Sequence, residues 1–306
     1  MSIIADWVGV DWGTSNLRAW GLAPDGSVAF ERVSPKGMGR LTRPEFAPAL
    51  AELLADVTPA RAGPLDILVC GMAGARQGWL EAPYMEAPAD LARLLDGAVR
   101  PEMEDRRFAP AILPGVCQHA PAPNVMRGEE TQLLGLAAEN PGFSGVVCMP
   151  GTHSKWARLE GTSILDFSTA MTGEIFETLR SHSVLRHSLN GDLEGPGRAE
   201  GFVAGAADGL ERPESLLGTL FTVRAASLIA DRQPDWCAGY LSGLLIGTEI
   251  GSNRHLIGNA PVPLIGSAGL CALYAQVLAM IGIKGEPQDA AAIVLAGLKA
   301  ARGHAA

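Results

Sequence analysis

The sequence predicts an α/β protein of two similar lobes, and three observations carry that prediction. Residues 8–22, VGVDWGTSNLRAWGL, reappear in altered form about half a chain later as residues 146–160, VVCMPGTHSKWARLE. Each copy runs an apolar strand into a Gly-Thr turn and out along a second alternating strand, the pattern of a β-hairpin with a tight polar tip. A third strand follows each hairpin, and helical periodicity dominates the last third of the chain. The 306 residues, 47% hydrophobic and 19% charged, suffice for the cores of two medium domains.

In order, Trp7–Asp11, Asn16–Leu22 and Val28–Arg32 read as strands separated by the Gly13-Thr14 tip and the Pro24-Asp25-Gly26 turn. Pro44–Val57 has helical spacing. Asp66–Cys70 reads as a buried strand ending in glycines, and Ala111–Leu113 as another. Glu129–Glu139 is a helix that starts after Gly128 and is stopped by Asn140-Pro141-Gly142, the expected lobe boundary. This gives an N-terminal lobe, 1–140, and a C-terminal lobe, 141–306. The second lobe opens with strands Val146–Met149, Lys155–Leu159 and Ile164–Phe167. Helices are then expected over Glu174–Ser181, Arg198–Gly209, Ser215–Ala230, Trp236–Gly251 and Ala268–Ile281, with one strand, Val262–Ile265, among them. A last helix, Asp289–Arg302, is free to return to the first lobe.

Charge and cysteine usage narrow the function. With 24 Lys and Arg against 33 Asp and Glu the net charge is −9, which excludes a nonspecific electrostatic grip on nucleic acid or anionic membrane. Any anionic ligand must be held locally, by turn amides, helix starts and a few placed cations. The five cysteines are dispersed, mostly in apolar context, and form no CxxC pair, which fits reduced thiols in the cytoplasm. The first residues lack the basic region of a signal peptide, and no apolar run approaches the ~20 residues of a membrane span. A homodimer is left open.

A glycine at each hairpin tip lets the backbone approach a ligand closely, while the following Thr and Ser offer amides and hydroxyls as donors. Two such tips suggest a nucleotide whose phosphates lie in a cleft between the lobes. Two lobes that each open with a βββ unit of this kind resemble the actin, Hsp70 and sugar-kinase superfamily, which implies a ribonuclease H-like, actin-like ATPase fold. Within it, VDWGTSNLRAW, GMAGARQGW, MPGTHSKW, MTGEIFETL and LSGLLIGTE are similar to stretches of the 2-dehydro-3-deoxygalactonokinase family. The resemblance implies an ATP-dependent kinase acting with Mg²⁺ on the 6-hydroxyl of 2-dehydro-3-deoxy-D-galactonate, in galactonate catabolism.

Residue roles follow from both sources. The superfamily resemblance implies that Asp11, at a strand end two residues before Gly13, serves Mg²⁺, and a hard cation that keeps its waters needs only one or two carboxylates plus phosphates. Gly13, Thr14 and Ser15 form the first phosphate tip; Arg18 is either a cleft cation or a solvated surface residue. Gly151, Thr152, His153, Ser154 and Lys155 form the second. That tip is not a Walker A loop, because Lys155 begins a strand and not a helix. The second copy has Met149 where the first has Asp11, so one metal-binding carboxylate is expected. Glu129 and Glu130, at a helix start, are candidates for the base that phosphoryl transfer to an alcohol needs. Sugar kinases generally place Asp there, which leaves open which glutamate acts. Arg76, Gln77 and Trp79, after a strand, are substrate candidates, with Arg76 able to pair with a sugar-acid carboxylate. Thr172, Gly173 and Glu174 also border the expected substrate site. Gly266, Ser267, Ala268 and Gly269, at a strand-to-helix junction, are expected against adenosine, and Glu249 against ribose. Two alternatives stand beside the kinase: a polyphosphate or nucleotide phosphohydrolase, and a sugar-acid sensor without catalysis.

Overall fold

The computed structural model describes residues 2–303. They form two units. The first comprises the chain up to Ser144, Leu159–Asp166 and the stretch from Ala290 onward; the second comprises Gly145–Arg158 and Phe167–Asp289. The C-terminal helix therefore belongs with the N-terminal part of the chain.

The first unit is built on a mixed five-stranded sheet in the order Val28–Ser34, Leu17–Leu22, Trp7–Trp12, Leu65–Gly71, Phe108–Ile112. The first two pairings are antiparallel and the last two parallel. Side chains alternate across a strand, so Val8, Val10 and Trp12 enter one core while Gly9 and Asp11 point the other way. On the core side, the Phe46–Leu53 helix seals the sheet through a Trp12, Phe46 and Trp79 cluster with ring centroids 4.9 to 6.3 Å apart. The helix expected over Pro44–Val57 is shorter. Pro44 lies in a 3₁₀ turn closed by a Thr42–Glu45 capping box, and Val57–Pro59 instead pairs in parallel with Ile3–Ala5.

The Ala290–Gly303 helix covers the opposite face, where a Cβ at Gly9 would come within 3.0 Å of Leu298. The same helix packs along Glu129–Glu139 at backbone contact. A Cβ at Gly135 would stand 1.9 Å from the Ile293 carbonyl oxygen, and one at Gly297 would stand 1.9 Å from that of Thr131. No side chain fits there. Gly297→Ala is therefore expected to cost about 3 kcal/mol in denaturant unfolding, at the upper end of overpacking penalties. An unchanged midpoint would mean that the two helices do not meet at these glycines.

Short strands that sequence patterning misses complete this unit. Tyr84–Glu86, Gly115–Gln118 and Asn124–Met126 make a small sheet, and Ala89–Asp90 pairs with Ser163–Ile164. At two to four residues they are too short to display alternation. The Asn124–Met126 strand matters because it delivers the chain to Gly128, where the Glu129–Glu139 helix begins.

A further sheet runs in the order Gly285–Gln288, Val262–Ile265, Ser144–Met149, Ser154–Glu160, Ser163–Ala170, and the second unit holds its strands except Ser144 and Leu159–Asp166. Its helices include Thr172–His182, Arg198–Glu211, Pro234–Ser252 and Ala268–Met280. Arg198–Glu211 and Pro234–Ser252 interlock through glycines every fourth residue: Gly201, Gly205 and Gly209 against Gly239, Gly243 and Gly247. A Cβ at any of these would meet the opposing backbone at 2.0 to 2.5 Å. The single helix expected over Ser215–Ala230 is broken into Leu216–Thr219 and Thr222–Ile229. The Thr219 hydroxyl donates back to the Ser215 carbonyl at 3.1 Å, a bond that competes with the helical ladder. Among the described residues no helix is long and apolar enough to cross a membrane.

Candidate active site

In the first unit, Asp11 stands at the end of its strand, paired in register with Arg18 on one side and Cys70 on the other. It lines a cavity of about 320 Å³ together with Gly13, Ser15, Asn16, Arg18 and Gln132. Burial pushes the Asp11 carboxyl up to about 6; Arg18 draws it back and Glu129 adds to the rise. A carboxylate held at this cost favours a cation beside it. Among the described residues no group of three or more His, Cys, Asp or Glu could hold a metal ion. A divalent ion here would thus rest on Asp11 and on ligand oxygens, the pattern suited to Mg²⁺. Arg18 also pairs with Glu31 at 3.1 Å and lies over Trp20, so it serves both the cavity and the sheet surface.

Two glycines bring the helix start to Asp11. Gly71 (φ 88°) and Gly128 (φ 106°) adopt conformations that side chains disfavour. A Cβ at Gly71 would stand 2.7 Å from the Trp12 carbonyl oxygen and 3.4 Å from Asp11 Oδ1, and one at Gly128 would stand 3.3 Å from Gly71 Cα. The strand ends at Asp11 and Gly71 and the helix start at Gly128 are therefore packed backbone to backbone. The carboxylate pair that follows divides its work. Glu130 is fully buried, and both its oxygens accept the Gly128 N–H, at 2.9 and 2.7 Å. Burial, with Glu129 beside it, pushes its carboxyl up to about 7. Glu129 is only partly buried, and its Oε2 accepts the Arg127 N–H at 2.9 Å.

The Glu130 arrangement has a pH signature. With its carboxyl raised from 4.5 to about 7, the folded protein holds more protons than the unfolded chain between those values. That contribution is full below about pH 4.5 and is lost as pH rises through 7. Glu130→Gln is expected to flatten the decline in stability across this window, read as denaturation midpoints from pH 4 to 8. An equally steep decline in the variant would assign the dependence elsewhere.

The first tip is buttressed by a segment that sequence reading passed over. Met38 N–H donates to the Gly13 carbonyl at 3.0 Å and Gly39 N–H to that of Thr14 at 2.9 Å. A Cβ at Gly37 would overlap the Ser15 carbonyl carbon at 2.2 Å. Lys36-Gly37-Met38-Gly39 is sequence-distant from the tip, and only its Gly-x-Gly spacing hints at such contact.

The substrate candidates separate. Arg76 and Gln77 are exposed; Arg76 contacts Glu81 at 3.5 Å, and Arg43 holds the loop by donating to the Arg76 and Gly78 carbonyls. Trp79, 7% exposed, belongs to the aromatic core and also lines a surface cavity with Arg43 and Met103. Arg127 stacks over Tyr84 at 4.3 Å and donates to the Ala82 carbonyl at 2.8 Å, with Nη1 against Gly74. It stiffens the Gly71–Trp79 loop from behind.

In the second unit, the Gly151–Ser154 turn joins two strands and is held from two sides. A Cβ at Gly173 would lie 2.6 Å from the Gly151 carbonyl oxygen, and one at Gly266 would lie 2.8 Å from that of Pro150. The outer side of Gly151 is open, with no atom within 4 Å of a Cβ there. Glu174 N–H donates to the Thr152 carbonyl at 3.1 Å, and its carboxylate contacts His153. Thr172, Gly173 and Glu174 thus brace the second tip. Ser154 and Lys155 are buried at the start of their strand. Ser267, Ala268 and Gly269 are exposed at the start of the Ala268–Met280 helix, which has no side-chain cap, and space around Gly269 is open. An uncapped helix start beside an open turn suits a nucleotide's phosphates or base. Glu249, expected against ribose, is 4% exposed with both oxygens engaged inside the unit by Trp156, Thr172 and Tyr274.

A family model described as 2-keto-3-deoxy-galactonokinase matches residues 11–301. A Rhizobium meliloti (strain 1021) protein named a probable 2-dehydro-3-deoxygalactonokinase is 42% identical over 98% of both chains. The 2-dehydro-3-deoxygalactonokinase of Escherichia coli (strain K12) is 36% identical over 91% of both. A crystal structure from Sinorhizobium meliloti of the same description superposes with a TM-score of 0.88 at 41% identity, covering 96% of this chain and 97% of that one.

Proposed function

Because the chain belongs to the 2-keto-3-deoxy-galactonokinase family, we propose that it transfers the γ-phosphoryl group of ATP to the 6-hydroxyl of 2-dehydro-3-deoxy-D-galactonate. It is a phosphotransferase with an alcohol acceptor, working in galactonate catabolism. The fold we assign is the actin-like ATPase type, supported by the antiparallel hairpin and third strand at the start of the first unit's sheet.

The single observation that carries the site is the packing of Gly71 between Asp11 and Gly128, which sets the Glu129 carboxylate within electrostatic reach of Asp11. When bound, Mg²⁺ neutralises charge on the phosphates and ATP supplies the phosphoryl group. Asp11 would hold the cation by its carboxylate. Glu129 orients the 6-hydroxyl and takes its proton at the carboxylate. Glu130, spent on the Gly128 amide, fixes the first turn of the helix and hence the place of Glu129. Thr14 and Ser15 in the first unit, and Thr152 and His153 in the second, offer turn amides and hydroxyls to phosphate oxygens. Ser267 to Gly269 leave room for the adenosine. Arg76, at the exposed end of its loop, is the residue we assign to the sugar-acid carboxylate.

The reading is tested by ADP release with and without sugar acid. ADP formation should depend on 2-dehydro-3-deoxy-D-galactonate and be weaker with its C4 epimer. Phosphate release from ATP without any acceptor, at comparable rates, would favour a phosphohydrolase. Binding of sugar acid without turnover would favour a sensor.

A further inference from the structure

We propose that Glu249 is a positioning residue that sets the geometry of the Gly151–Lys155 tip through two chains of contacts that converge on its carboxylate. The inference rests on reading that tip as a phosphate-binding turn. Glu249 lies near the end of the Pro234–Ser252 helix, the helix locked by glycines against Arg198–Glu211. Its Oε1 accepts Trp156 Nε1–H at 2.7 Å, and its Oε2 accepts the hydroxyls of Tyr274, at 2.6 Å, and Thr172. Three donors from three elements meet on one buried group. An ionised carboxylate suits this, having four lone-pair sites and no proton of its own. Burial pushes its carboxyl up, and the same three donors pull it back.

The first chain runs outward with a fixed direction. The Tyr274 hydroxyl gives its one proton to Glu249, so toward Ser154 Oγ, 2.9 Å away, it accepts. Ser154 therefore donates to Tyr274 and turns its lone pairs to the Gly151 N–H, at 3.4 Å. The second chain runs through Thr172 at the start of the Thr172–His182 helix. The next two residues grip the tip: Gly173 packs beneath the Gly151 carbonyl and Thr152 Cα, and Glu174 N–H donates to the Thr152 carbonyl. Both sides of the turn are thereby tied to one carboxylate that no phosphate would touch.

Tyr274→Phe cuts the first chain while keeping the ring, and Thr172→Val cuts the second while keeping the shape. Each is expected to raise the KM for ATP, and the ATP dissociation constant from calorimetry, about tenfold, the loss of roughly one well-placed hydrogen bond. The KM for the sugar acid should stay within about twofold and the melting temperature within a few degrees. Glu249→Gln, which turns an N–H₂ toward one of three donors, should raise the KM for ATP further. Should Glu249→Gln fail to fold, the two peripheral variants decide. Wild-type ATP affinity in both, or an equal rise in KM for both substrates, would overturn the proposal. A wild-type protein without kinase activity would instead overturn the reading of the tip on which it rests.

Discussion

Asp11→Asn is expected to lower kcat on the order of a thousand-fold while leaving the protein folded. The magnitude corresponds to about 4 kcal/mol of lost charge stabilisation, within the several kcal/mol that a positioned metal ion supplies. Burial holds the Asp11 carboxyl at about 6 against its ordinary 3.8, so the folded protein keeps this proton where the unfolded chain has released it. Its contribution to stability is full below about pH 4 and is lost as pH climbs through 6. Asparagine carries no such penalty. The ligand-free variant should therefore melt no lower than wild type at pH 7 and above, even as turnover collapses, a trade of stability against function. In the wild type the acid limb of kcat/KM should fall near pH 6 at low Mg²⁺ and move lower as Mg²⁺ rises. Calorimetry and initial rates on the same preparation check both halves. A variant with wild-type kcat, or one inactive only because it has unfolded, contradicts the assignment.

Glu129→Gln should lower kcat about 10² to 10⁴-fold and change either KM by less than about threefold, since a base acts on the transition state more than on binding. Glutamine keeps the acceptor for the Arg127 N–H, so the helix start should survive. Glu130→Gln is the contrast: its carboxylate is spent on the Gly128 amide, and it should alter stability and its pH profile more than kcat. Rates for the two variants in reversed order would exchange their roles. The sequence left the two glutamates unresolved because both sit in a first helical turn, where acidic residues are favoured by the dipole. Burial separates them, and burial is decided by the Gly71–Gly128 approach, which no local pattern announces.

Elements set by local periodicity were legible. The hairpin from Trp7 to Leu22 and the Glu129–Glu139 helix stand where alternation and stop signals put them. What resisted reading depended on partners far along the chain. Gly37 looks like a loop glycine, yet its missing side chain is what admits the first tip. Trp79 follows a loop motif but completes an aromatic core with Trp12 and Phe46. Glu249 lies near the end of a helix whose glycine spacing conceals a helix pair at backbone contact. Thr172 to Glu174 sit in a motif similar to the family's, but their bonds run to the second tip and to Glu249. The repeat itself was readable, and so was its asymmetry of Asp11 against Met149. The partly exposed Asp11 lines a cavity, while Met149 is 4% exposed and belongs to the interior.

The most direct test of the kinase assignment is the position of the phosphoryl group in the product. Wild-type protein incubated with MgATP and 2-dehydro-3-deoxy-D-galactonate should yield, beside the resonances of ADP, a new phosphomonoester resonance. In phosphorus–proton correlation it should couple to the two C6 protons, and it should be absent with Asp11→Asn over the same time. Orthophosphate and ADP as the phosphorus products with no phosphomonoester, or coupling to any other carbon's proton, would contradict the account.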